Sequence, residues 1–218
     1  MIMNYKRNKF MKDNYIIAIV GKTSSGKDTA AKYLHDKYGL DMVVSHTTRP
    51  MRTYETNGKE HWFDTKKEFD NFIKNNKVLA YTKNDITGIE YAAVLSKEDL
   101  SKNLIYIINP DGIRWMQNNA PDINVLSIYI DLDEKEIIDR GIKRGDNIEI
   151  LKERLASERD EFNHFRDDLL HNKLHNYDFL IYNDTLDNLY ESLDDIADIY
   201  NIKEIKSQEN IMENDLEL

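Results

Sequence analysis

YIIAIVGKTSSGKDT, residues 15–29, is the stretch whose reading decides the fold. Tyr15 to Val20 is a short apolar run ending at a glycine, the pattern of a buried strand. Gly21, Lys22, Thr23, Ser24, Ser25, Gly26 and Lys27 then give the G-x-x-x-x-G-K spacing of a phosphate-binding loop. Beyond Asp28, the run from Thr29 to Tyr38 is made of helix formers and stops at Gly39. Strand, glycine loop and helix, in that order, is the setting the motif requires. The glycines let backbone N–H groups turn toward phosphate oxygens, and the helix N-terminus adds partial positive charge. Lys27 would then reach the outer phosphates of a bound nucleotide.

Outward from that stretch, 218 residues with 40% hydrophobic and 32% charged side chains suit one globular domain. A formal net charge of -10 speaks against a nucleic-acid polymer as partner, which would need a basic surface. There is no cysteine, so neither a disulfide framework nor a thiolate metal site is expected, which suits a cytoplasmic protein. No apolar run reaches the length of a membrane span, and no membrane partner is expected. Residues 1–12 read as a flexible tail, basic but without a signal core, and residues 204–218 as an acidic tail.

Leu40 to Ser45, LDMVVS, reads as a second buried strand. Asn57 and Gly58 mark a turn before a strand containing Trp62 and Phe63. Phe69, Phe72 and Ile73 recur at helical spacing between Thr65 and Asn76. Val78 to Thr82 and Ile89 to Leu95 read as strands, and Leu104 to Ile108 and Ile123 to Ile130 as continuous apolar ones. Gly112 to Asn119 is a predicted helix, as is Asp133 to Lys143, acidic first and basic last. Gly145 separates the latter from a long charged helix running from Ile148 to about His171. Tyr177 to Tyr182 is the last strand and Leu186 to Tyr200 a closing amphipathic helix. Strands alternating with helices behind a phosphate loop predict an α/β fold: a P-loop NTPase core with a mainly parallel sheet flanked by helices.

The segment SHTTRPMR, residues 45–52, followed by NGKEHWF, residues 57–63, resembles the guanylate kinase family's S-x-T-T-R-x-x-R and N-G-x-D-Y-x-F. With the phosphate loop, the resemblance covers roughly residues 14–200. It implies a kinase domain over residues 13–203, with a nucleoside-monophosphate-binding subdomain at about 46–97 and a helical lid at about 136–163. It implies an enzyme, a phosphotransferase that uses ATP as phosphoryl donor, Mg²⁺ as cofactor and a nucleoside monophosphate, GMP or dGMP by default, as acceptor. A monomer or a homodimer is expected. Two arginines three residues apart beside a serine suit a phosphate dianion independently of any family, because guanidinium groups form fork-like contacts.

By the same resemblance, Ser45, Arg49, Arg52, His61 and Tyr91 hold the acceptor. His61 stands where the family usually has a tyrosine and brings pH dependence with it. Gly21 through Thr29 and Asn183 bind ATP, while Lys27, Arg49, Arg140, Arg144 and Arg154 stabilise the transferring group. Arg140 and Arg144 carry an R-x-x-x-R-G pattern. Helical arginines also serve as a solvated face with ion pairs one turn apart, and Asn183 equally suits a turn. His171 and His175 have the spacing of a metal pair but lack the companion glutamate, and no zinc site is expected.

The chain departs from the family at several places. Asp28 follows the loop lysine where a serine or threonine is usual, and is the candidate metal ligand. The family's D-x-D-x-x-G is here Ile107, Ile108, Asn109, Pro110, Asp111 and Gly112. Ala80 and Ala93 replace the family's guanine-reading glutamate and serine. That predicts a relaxed or altered base preference unless Asp85 or Glu90 supplies the missing carboxylate. Two further readings follow from these departures. One is a related small-molecule kinase with another base or a ribosyl bisphosphate as acceptor, since the Gly-Lys-Asp loop also resembles that of ribosyl bisphosphate phosphokinases. The other is a non-catalytic guanylate-kinase-like binding module, against which the intact loop speaks.

Overall fold

The structure is a computed structural model in which residues 3–4, 14–53, 55–84, 87–96, 99–170 and 178–205 are described. His171, His175, Tyr177 and Asp85 lie outside them, as do most of both expected tails.

A six-stranded sheet has the order β1-β10-β9-β2-β8-β3 among the described residues. Its centre is β2 (Ile16–Val20), paired in parallel with β8 (Leu104–Ile107) on one side and β9 (Val125–Asp131) on the other. β10 (Phe179–Tyr182) extends it in parallel from β9. β1 (Met3–Asn4), within the stretch expected to be a tail, pairs antiparallel to β10. The chain leaves β2 where its neighbours lie to either side, the kind of switch point at which open α/β sheets place their ligands.

Every residue of β2 is buried, because both faces of the sheet are covered. Ile17 and Ile19 pack on the side of α1 (Lys27–Tyr38) and α6 (Leu186–Ile199), against Ala30, Leu34, Leu189 and Leu193. Ile16, Ala18 and Val20 point the other way, toward Ile113 and Met116 of α3 (Pro110–Asn119) and Phe162 of α5 (Ile148–Leu170). A small third core of Leu132, Ile137, Leu151 and Leu155 joins α4 (Glu134–Arg144) to α5.

The expected buried strand Leu40 to Ser45 is corrected here. β3 covers only Asp41–Met42, at the sheet's edge beside β8, and both residues are exposed. Apolar content signalled burial, but of the apolar residues only Leu40 is buried, in the α1-side core. The chain then crosses into a second sheet of order β5-β4-β7-β6. It is built from β4 (His46–Thr47), β5 (Trp62–Phe63), β6 (Val78–Lys83) and β7 (Glu90–Val94). α2 (Lys66–Asn75) begins with a capping box in which the Thr65 side chain accepts from the Glu68 amide and Glu68 returns to the Thr65 amide. Ala80 and Ala93 face one another across β6 and β7, and both pack into the α3-side core.

Candidate functional site

The phosphate loop is held in shape by backbone angles that only some residues tolerate. Gly26, immediately before α1, has φ of 104°, and a Cβ there would lie 2.2 Å from Nδ2 of Asn183. Asn183 is buried and donates from that nitrogen to the Ser25 carbonyl at 2.8 Å. Loop and sheet end are therefore in direct contact. Gly26→Ala meets both a left-handed backbone and a clash with Asn183. It is expected to destabilise the fold by about 1–3 kcal/mol, read as a lowered urea midpoint with unchanged slope.

Lys27 turns back over the loop and donates from Nζ to the Lys22 carbonyl at 2.7 Å. Enclosure lowers its pKa, while the carboxylates of Glu158 and Asp28 pull it back up. The Thr23 amide donates to Oε2 of Glu158, on α5, at 2.7 Å. Lys22 forms an ion pair with Glu134 at 3.1 Å, and Glu134 also accepts from Arg159 at 2.9 Å. Acidic side chains from α4 and α5 thus reach the loop, and sequence reading missed them. Long-range contact carries the signal for Glu134. Glu158 had a local one, since it continues the buried stripe of Leu151, Leu155 and Phe162 at helical spacing.

Ser45, Arg49, Arg52, His61 and Tyr91 come together in the second sheet and the loop beside it. The hydroxyl of Ser45 is 2.9 Å from Nδ1 of His61. Burial, and then the neighbouring Arg49, lower the His61 pKa, so the ring is neutral at pH 7. Arg49 donates from both terminal nitrogens to Glu55, at 2.9 and 2.7 Å, and its guanidinium lies over the Phe63 ring. The Arg52 amide also donates to Glu55, at 2.7 Å. Glu55 is nearly fully enclosed, and its hydrogen bonds from Arg49 hold its carboxyl down at about 2. Sequence reading passed over Glu55, which anchors both arginines and fixes their spacing.

Arg140 donates to the carbonyls of Asn183 and Asp184 at 2.6 and 2.7 Å. Arg144 donates to Oγ of Ser24 at 3.0 Å while paired with Asp146. These two, with Arg154, Lys27, Arg49 and Arg52, line one cleft of about 830 Å³ between the phosphate loop, the second sheet and α4–α5. In a chain of net charge -10, this is a concentrated positive site. An adjoining cavity of about 420 Å³ shares Lys27, Ser45, His61 and Tyr91 with the cleft and continues to Ala80, Thr82 and Glu161.

Glu90 does not turn toward that cavity. It is buried, paired with Lys66 at 2.5 Å, and accepts from the Tyr81 hydroxyl at 2.7 Å. For a metal, no group of three His, Cys, Asp or Glu among the described residues could form a site. Asn109 uses its Oδ1 to cap α3, accepting from the Gly112 amide at 2.9 Å. Asp28 is exposed in the first turn of α1 and lines the cleft. Magnesium keeps several waters and leans on substrate phosphates, so one carboxylate fits that manner of binding. Among the described residues, no helix is long and apolar enough to cross a membrane.

Comparison with known proteins adds four findings. The sequence pattern of the family described as guanylate kinase matches residues 13–200. A guanylate kinase of Mycoplasmoides gallisepticum is 32% identical over 87% of this chain and 95% of its own. One of Rickettsia prowazekii is 29% identical over 86% and 92%. Among solved structures, guanylate kinase from Anaplasma phagocytophilum superposes with a TM-score of 0.59 over 91% of each chain, at 20% identity.

Proposed function

Because the chain belongs to the guanylate kinase family, a family of phosphotransferases, we propose that it transfers the terminal phosphoryl group of ATP to a nucleoside monophosphate, with GMP or dGMP as acceptor. One observation carries the reading. The loop lysine and five arginines from three separate parts of the chain line a single cleft. Phosphoryl transfer needs positioning and charge neutralisation rather than a covalent intermediate, and such a cleft supplies both.

On this reading the loop amides and Lys27 hold the ATP phosphates, with Asn183 bracing the loop from behind. Arg49 and Arg52, set by Glu55, grip the acceptor phosphate together with Ser45, neutral His61 and Tyr91. Arg140, Arg144 and Arg154 stabilise charge on the group in transit. Magnesium, when bound, neutralises charge on the ATP phosphates, and Asp28 would hold it directly or through water. The second sheet serves as the acceptor subdomain, and α4 with α5 as the lid.

An ADP-release assay across the eight common ribo- and deoxyribonucleoside monophosphates tests the function. Turnover led by GMP or dGMP is expected, and turnover with none of the eight overturns the reading. Asp28→Ala is expected to raise the Mg²⁺ concentration required for half-maximal rate, since a carboxylate contact is lost. An identical magnesium titration curve would remove Asp28 from the metal's environment.

A further inference from the structure

The cavity next to the arginine pair ends at a carboxylate that the proposed chemistry has not used. Glu161 lies on α5, one turn beyond Glu158, and lines the cavity opposite Ala80 and Thr82. One of its oxygens, Oε1, is buried without a hydrogen-bond partner. The backbone N–H of Asp111, in the first turn of α3, lies near enough to favour its ionised form. Burial, and then the Asp111 charge, push Glu161 up to about 7. Such a group is costly to keep buried unless something supplies the missing donors. Its surroundings fit that role. Ala80 brings no polar side-chain atom to the cavity wall, Ala93 is buried in the core beside it, and Glu90 is held elsewhere by Lys66 and Tyr81.

We propose that Glu161, reaching from the long helix rather than from the sheet, is the specificity-determining residue that reads the acceptor's base. The carboxylate would accept the adjacent N1–H and N2–H of a guanine whose phosphate sits on Arg49 and Arg52. This rests on the acceptor being a purine monophosphate in the cleft described above. Ala80, small and on the cavity wall, then leaves room for the base. A charged acceptor facing two N–H donors is the strong form of hydrogen bond, and a base lacking one donor leaves a buried oxygen unpaired.

GMP and IMP differ only in the 2-amino group, so their kcat/KM ratio isolates one of those two bonds. The full-length wild-type chain, at saturating ATP, is expected to prefer GMP by about 10- to 100-fold, the value of one charged hydrogen bond. Glu161→Gln keeps the shape and an oxygen for the Asp111 amide but removes the charge. It is expected to bring the ratio to within about threefold of unity, with KM for ATP and the melting temperature unchanged. A merely structural glutamate would move stability and leave the ratio alone. A wild-type ratio near one, or a Glu161→Gln ratio equal to wild type, overturns the proposal. Should Glu161→Gln not fold, Glu161→Asp takes its place, with an intermediate ratio expected and an unchanged one overturning. Turnover of AMP, CMP or dTMP with neither GMP nor IMP accepted would instead overturn the acceptor reading itself, and this proposal with it.

Discussion

Lys27→Ala is expected to lower kcat by about 10²- to 10³-fold while leaving the melting temperature nearly where it was. The ammonium group curls over the loop, bonded to the Lys22 carbonyl and flanked by Glu158 and Asp28. In phosphoryl transfer, charge spreads over the oxygens of the moving group. An alanine offers nothing to that charge. The fold should survive, because the loop's shape rests on Gly21, Gly26 and Asn183 rather than on the lysine. Steady-state rates with a thermal melt as control decide the matter. Near-wild-type transfer would mean that the loop is not the donor site.

Arg49→Ala should have two separable effects. The first is on the acceptor, whose KM should rise by about 10- to 100-fold with KM for ATP little changed, as expected for one charged hydrogen bond. The second is on the fold. Glu55 is enclosed and held ionised chiefly by Arg49, so removing the guanidinium strands a buried carboxylate. A loss of about 1–3 kcal/mol is expected. Its pH dependence has a definite sign. A carboxyl depressed to about 2 stabilises the wild-type fold above its unfolded value and loses that contribution as pH falls toward 2. In Arg49→Ala this part of the acid dependence should shrink. The double variant Arg49→Ala, Glu55→Gln should recover stability but not acceptor affinity. Equal weakening of ATP and acceptor binding in the single variant would take Arg49 out of the acceptor clamp.

Much of the molecule could be read because its determinants are local. The strand, loop and helix around Gly21 to Lys27 are specified by consecutive residues, and so is the capping box that starts α2. Gly145 ends α4 with φ of 83°, as its place in the sequence suggested. LDMVVS misled because apolar content predicts burial but not whether a strand lies at the middle or the edge of a sheet. The site divides the same way. The arginines at 49 and 52 sit in a linear motif with Glu55 a few residues on, whereas Glu134, Glu158 and Glu161 gain their roles only where distant segments meet. Thr23 and Glu158 are 135 residues apart. Within helices of many charges Glu134, Glu158 and Glu161 look like solvated surface. Only the register of Glu158 with Leu151, Leu155 and Phe162 set it apart.

If ATP phosphates take the loop amides as proposed, the contact between Glu158 and the Thr23 amide makes donor binding a displacement reaction. On that proposal the Glu158 carboxylate, carried by α5, competes with phosphate for the same N–H, so ATP's apparent dissociation constant is multiplied by one plus the equilibrium constant of that contact. Each 1.4 kcal/mol the contact is worth weakens ATP about tenfold. Glu158 rides on the helix that also carries Arg154 and Glu161, the residues proposed to act on the transferring group and on the acceptor's base. Any coupling of the two substrates through that helix is reciprocal: whatever ATP does to acceptor affinity, the acceptor does equally to ATP.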